Sequence, residues 1–333
     1  MGWQGGPDTP ALWSKGGVDF YAGTMDDVRL VFANMPIETK DSFNYDAIPW
    51  GNFHHAYGSG SDVPARLEEI RSGSEEDSRL ALTWLWSSLL HSETGCAAGA
   101  LTVPFLIRIA ATHRFHRAVI LNIVARLARR QHMGDGSRTG LLRAARADDL
   151  LAFESSGYLA NWSIQAARQA VAADADLLLP LLEDIDPEVR QQAAYALAAS
   201  AGRSEAVVEF LHSRLRVEDD PAVRACIVLA IGQLAWENRH AATIDQMRTW
   251  WQDVTRPAEV RVCAALSWLC LTDDAVADDL RAFLDASATD GLAALLAPIP
   301  WMIHVDDEGG GLHSCLDQMY NPEKYLQFTE SLN

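Results

Sequence analysis

Three segments of the chain superimpose on one another, and that repetition limits the fold more tightly than any other feature. Asp186-Pro187-Glu188-Val189-Arg190 opens a run that ends at Leu197, and Asp220-Pro221-Ala222-Val223-Arg224 opens one that ends at Ile231. The third, Arg256-Pro257-Ala258-Glu259-Val260-Arg261, runs to Trp268 and has one extra residue between proline and valine. Val189 and Val223 are 34 residues apart, and Val223 and Val260 are 37 apart. Self-similarity at this period marks a helical solenoid, whose units bury their apolar faces only by stacking on their neighbours. The roles within each run are legible. Asp186 and Asp220 can cap a helix, and Pro187 and Pro221 stand in its first turn, where a missing N–H costs nothing. Val189, Ala193 and Leu197 recur at i, i+4 and i+8, one apolar stripe of an amphipathic helix. A companion helix precedes each run, at residues 177–182, 207–211 and 244–251.

These segments resemble the HEAT repeat, with its "DPxVRxxAxxAL" second helix and the "LLPLLxDxD" lead-in at 177–186. The resemblance is strong over 157–285 and continues, weaker, toward the amino terminus. There Ser74 to Leu90 and His113 to Arg130 look like degenerate second helices, and Val103-Pro-Phe-Leu106 looks like a first helix. The stretch Asn52-Phe-His-His-Ala-Tyr-Gly-Ser-Gly-Ser-Asp-Val-Pro64, with His91 and Pro104-Phe105, resembles the opening of bacterial HEAT-repeat proteins of no assigned activity. The resemblance implies that a loop Asp pairs with the second-helix Arg of a neighbouring repeat, making Arg190, Arg224 and Arg261 scaffold residues. Thr255-Arg256 replaces the Asp in the third unit, so pairing there is in question.

The fold expected is therefore all-α: a right-handed α-solenoid of about six or seven HEAT-like helix pairs with irregular N- and C-terminal caps. Residues 1–50 form the N-terminal cap, with a short helix after the capping-box pattern Thr24-x-x-Asp27. Degenerate repeats follow over 51–156, clear repeats over 157–285, and a C-terminal cap with an acidic tail over 286–333. Five cysteines with no CxxC argue against a disulfide framework or the usual zinc and redox spacings. The amino terminus lacks signal-peptide character, and no apolar stretch is long enough to span a bilayer. A cytoplasmic protein without membrane contact is expected.

Charge by segment is more informative than the total of −18. Residues 108–146 hold nine arginines and one acid, net +8, which leaves −26 elsewhere; residues 273–333 alone carry −10. Arg114, Arg117, Arg126, Arg129 and Arg130 are thus candidates for anion binding. Arg126, Arg129 and Arg130 equally suit a helix C-terminus, where cations favour the macrodipole. An overall acidic chain argues against general nucleic-acid binding.

No P-loop, dinucleotide fingerprint, HExxH or nucleophile elbow is present, and the repeated His-Glu pairs of di-iron HEAT hydroxylases are absent. His54, His55, His91 and Glu93 are the acid–base candidates, with loop-fixing hydrogen bonds as the alternative role. His304, Asp306 and His313 form the one metal-like cluster; no metal or other cofactor is expected. Cys226, Cys263 and Cys270 suit packing better than nucleophilic chemistry. In a HEAT array the second helices line the concave face. The register places Trp84, Gln192, Tyr195, Cys226, Leu229, Gln233, Leu266 and Cys270 there, as a partner groove or as a face buried by the terminal caps. The function expected first is a non-enzymatic scaffold gripping a basic protein partner in that groove, as an inhibitor or immunity-type protein would. A small-molecule enzyme or ligand-binding protein with a Trp/Tyr/His pocket is the second expectation. Nucleic-acid binding through 108–146 is the third.

Overall fold

The computed structural model describes residues 12–15, 18–21, 26–91, 95–113, 115–130, 137–145, 153–154, 156–200, 202, 204–303 and 311–325. The chain forms two compact units, Met1–Arg130 with Ala145–Leu178, and Gln131–Ala144 with Leu179–Asn333. Both are stacks of paired helices, the packing of an α-solenoid, with two small β-hairpins in the first. No helix among the described residues is long and apolar enough to cross a membrane.

The first unit opens with the hairpin β1 (Leu12–Lys15) and β2 (Val18–Tyr21), followed by the short helices α1 (Val28–Ala33) and α2 (Ile37–Asp41). Asp27 itself is the N-cap of α1, accepting from Arg29 N and clasping the Arg29 guanidinium. The helix therefore starts from Asp27; Thr24, the other half of the capping-box pattern, lies outside the described residues. A second hairpin, β3 (His54–His55) with β4 (Gly58–Ser59), leads into α3 (Val63–Ser72) and α4 (Glu75–Leu89). Ser74 and Asp77 close a reciprocal capping box at the start of α4. Next come α5 (Ala97–Thr112), α6 (Arg117–Leu127), α7 (Ala160–Ala173) and α8 (Ala175–Leu178). Helix α5 is buried from Ala97 to Ala110 and packs against both α6 and α7. A helix apolar on all sides has to sit at the centre of its unit. Its one charged core residue, Arg108, is matched by Asp174 at 2.8 Å and Asp41 at 2.7 Å, as a buried cation requires.

The second unit holds the clear repeats. Helices α9 (Pro187–Leu197), α11 (Pro221–Asn238) and α13 (Ala258–Leu271) lie side by side in one row, each preceded by its companion: residues 179–183, α10 (Ser204–Leu215) and α12 (Ala241–Gln252). Asp186 and Asp220 cap α9 and α11 through Glu188 N and Val223 N, whereas α13 has no side-chain cap. The missing Asp of the third repeat accounts for that difference. Helices α11 and α13 approach closely at Gly232, where a Cβ would lie 2.4 Å from Ser267 Oγ, so the small residue is a steric requirement. Helices α14 (Asp278–Ser287), α15 (Asp290–Leu296) and α16 (Gly311–Tyr320) complete the unit.

Candidate functional site

The arginines of the repeat motif form a ladder through the loops of the second unit. Arg190 donates from Nε and Nη2 to the two carboxylate oxygens of Glu218, both at 2.9 Å, and from Nη1 to the carbonyls of Asp184 and Ile185. Arg224 repeats the pattern one unit on, binding Glu259 Oε1 through Nε at 2.7 Å and the carbonyls of Glu218 and Asp219 through Nη1. Arg261 donates to the Trp251 carbonyl and covers the Phe283 ring at 4.3 Å. The partners are glutamates, Glu218 and Glu259, while Asp186 and Asp220 are engaged as helix caps. Glu218 is also bound by Arg214 and by the backbone N–H groups of Asp219 and Asp220. Burial pushes its carboxyl up, but these donors outweigh burial and bring it to about 2.

The face formed by the row of second helices is closed by the chain itself. Gln192, Tyr195, Cys226, Leu229, Gln233, Leu266 and Cys270 are all buried. Trp301, in the turn after α15, donates to Gln233 Oε1 at 2.9 Å and meets the Tyr195 ring edge-on at 4.7 Å. Gln233 in turn donates to the Ala198 carbonyl, so its amide is satisfied at both ends. Cys270 donates to the carbonyl of Arg138 at 3.1 Å, in a turn over residues 138–142 that also packs on α13. Burial raises the thiols of Cys226, Cys263, Cys270 and Cys315, which keeps them protonated and unreactive.

In the first unit, Trp84 is half-buried, with the His55 ring edge-on at 5.2 Å and the Arg66 guanidinium over it at 5.5 Å. His55 is buried; its Nδ1 accepts from Tyr57 N, which leaves Nε2 to donate to Asp62 at 3.1 Å. The exposed His91 meets the Tyr57 hydroxyl at 3.4 Å, so Tyr57 links the two histidines, and His54 is half-buried on β3. Glu93 lies outside the described residues. So do Arg114, His304 and Asp306, while His313 is exposed on α16. No group of three metal-ligating side chains occurs among the described residues.

The basic segment is largely committed to internal contacts. Arg117, in the first turn of α6, donates to the Ala110 carbonyl, and Arg126, in its last turn, lies over Trp86 at 4.8 Å. The two are about 14 Å apart along the helix axis. Arg129 is buried and Arg130 half-buried. Arg138 donates to the Asp274 carbonyl, and Arg143 binds Thr139 and covers Trp236.

A cleft of about 700 Å³ lies between α10 and α12, floored by Leu234 and Ala235 of α11. Its Trp250 ring is already covered, by Arg256 on its face at 4.7 Å and His212 edge-on at 5.6 Å. Glu205 and Glu209 share its lining with Arg216 and Arg256, so the cleft singles out no ligand charge.

What sequence reasoning missed lies in the loops before α9, α11 and α13. Ile185, Val254 and Val217 are 96%, 78% and 69% exposed, the three most exposed large hydrophobic side chains among the described residues. The signal available was an aliphatic residue recurring in the same loop of each repeat.

With this geometry in view, the comparisons with known proteins are consistent. A model of HEAT repeats matches residues 159–232 and again 175–256, and this part of the chain is a HEAT-repeat domain. No curated protein and no solved structure matches the chain.

Proposed function

We propose that the protein is a non-enzymatic interaction scaffold, acting in the cytoplasm, whose partner is a basic protein; an inhibitor of the immunity type has this form. The observation that carries the proposal is the disposition of charge. Arg108, Arg190 and Arg224 are consumed by carboxylates inside the fold, and Arg117, Arg138 and Arg143 by carbonyls, hydroxyls and rings. A chain of −18 in which these six arginines turn inward keeps an excess of acids on its surface, and such a surface attracts and orients cationic partners. The same inward commitment favours a protein partner over nucleic acid. A groove along the row of second helices would need the Trp301 turn to move aside, so partner contact falls on surfaces outside that row.

The test is affinity capture on the immobilised full chain at low and at high salt, with captured proteins identified by mass spectrometry. Enrichment of basic proteins that high salt releases is the expected result. Capture of acidic or neutral proteins that is indifferent to salt, or of none, refutes the proposal.

A further inference from the structure

We propose that the loop edge of the second unit, tipped by Ile185, Val217 and Val254, is the docking surface for a basic partner segment that carries aliphatic residues among its cations. The inference rests on the scaffold proposal above and names its surface. Single exposed aliphatic residues are ordinary on any protein; one in the same loop of each of three successive repeats is not. The ladder shows that the three loops are neighbours. One guanidinium, Arg190, binds the Asp184 and Ile185 carbonyls and also Glu218, the residue after Val217. Arg224 binds the carbonyls of Glu218 and Asp219 together with Glu259 at the start of α13. Arg261 ties α13 to the Trp251 carbonyl, three residues before Val254. Buried pairs thus hold the loop backbones in register, while the aliphatic side chains at the tips, which make none of these bonds, stay in solvent.

The chemistry beside the tips selects the occupant. Glu183, Asp186, Glu188 and Asp219 are exposed on the same loops and helix starts, and Asp184 and Asp253 are half-buried there. Against them stand Arg216, exposed and bonded to Ser213, and Arg256, held by Asp253 and the Trp250 ring. Glu218 and Glu259 are neutralised by their arginines. An edge of aliphatic points set among the exposed carboxylates of Glu183, Asp186, Glu188 and Asp219 complements a segment in which leucine-like side chains alternate with arginine or lysine. It repels an acidic segment of the same hydrophobicity.

The test is binding of the full chain to a fluorescein-labelled leucine–arginine peptide, with polyarginine and leucine–glutamate peptides of equal length as comparators. The wild type should bind the leucine–arginine peptide more tightly than polyarginine, and the leucine–glutamate peptide not at all. The triple variant I185S/V217S/V254S should lose about tenfold or more in affinity with an unchanged melting temperature, because exposed substitutions barely affect stability. Glu183→Gln, Glu188→Gln and Asp219→Asn together should weaken binding and flatten its salt dependence. Asp278→Asn with Asp279→Asn, exposed acids on α14 away from the loops, should leave binding unchanged. Undiminished binding by the triple aliphatic variant, or an equal loss from the α14 pair, overturns the edge and leaves the scaffold proposal standing. Failure of the wild type to bind either basic peptide at low salt overturns both.

Discussion

Glu218→Gln tests whether the arginine ladder holds the second unit together. The substitution preserves size and shape, so no cavity complicates its effect. Six donors converge on this one carboxylate: Nε and Nη2 of Arg190, the same two atoms of Arg214, and the N–H groups of Asp219 and Asp220. An amide in its place turns an NH₂ group toward guanidiniums that can only donate. The Glu218 side chain is 0% exposed and that of Arg190 is 8% exposed, so water screens the pair little. Two routes to the magnitude agree. Displacement of the carboxyl from 4.5 to about 2 corresponds to about 3 kcal/mol of folding stability. Removing one partner of a buried ion pair costs about 3–5 kcal/mol.

The sign of the pH dependence follows from the direction of that displacement. A carboxyl held lower in the folded chain stabilises fully above pH 4.5 and loses its contribution as the pH falls toward 2. The variant has no such group. Urea unfolding followed by circular dichroism should therefore separate wild type and variant by about 3 kcal/mol at neutral pH, and by about half of that at about pH 3. Amide exchange should place the loss in α9 and α11. A gap below about 1 kcal/mol at neutral pH, or one that stays constant into acid, would refute the ladder as a stabilising device.

Two further outcomes follow from buried groups elsewhere. Trp301→Ala removes the ring that seals Tyr195 and Gln233 and should cost about 3–5 kcal/mol, visible as a lower melting temperature with dye binding to the opened face; a variant that melts like the wild type would mean that the turn does not seal it. Glu154 is buried with Ala97 N, Ser156 and Ser163 as donors and no cation among the described residues, and burial raises its carboxyl to about 7. A raised folded-state value means that stability is lost as pH climbs from the ordinary carboxyl range through 7. Glu154→Gln should therefore lose less melting temperature than the wild type between mildly acidic and mildly alkaline buffer, and parallel pH curves would contradict this.

Legibility in the sequence depended on whether a residue acts locally. Caps and stripes are local: Asp186-Pro187 and Asp220-Pro221 announce α9 and α11, and the absence of an Asp before Pro257 foretells the uncapped α13. Ser74 through Leu90 contains its helix to within a residue at each end. Partnerships across tens of residues were not legible. Glu218 reads as one acid in a run of three, and only folding shows that it, rather than Asp219 or Asp220, receives Arg190 from 28 residues away. The sequence alone sets closure of the second-helix row on an equal footing with an open groove. Nothing in the spacing of Pro298, Pro300 and Trp301 says that this turn returns to α9 and α11. The β1–β2 hairpin in the irregular cap and the β3–β4 hairpin at the start of the degenerate repeats were hidden for the same reason, since such short hairpins carry little periodic pattern.

Charge shows most sharply how sequence and space diverge. Along the chain, residues 108–146 form a block of +8 that invites a phosphate-binding interpretation. In the fold, Arg108 is balanced by Asp41 and Asp174, and its neighbours cap carbonyls and cover indoles at separate places. In the clear repeats Arg190, Arg224 and Arg261 recur with the period and tie their helices to the neighbouring loops, so these arginines are structural demands. The acids are under no such uniform demand. Some cap helices, some close the ladder, and several others, Glu183 and Asp219 among them, stand exposed in the loops beside Ile185 and Val217. Surface chemistry at the loop edge is therefore decided by what the repeat leaves over: aliphatic and acidic side chains on loops whose backbones the ladder holds.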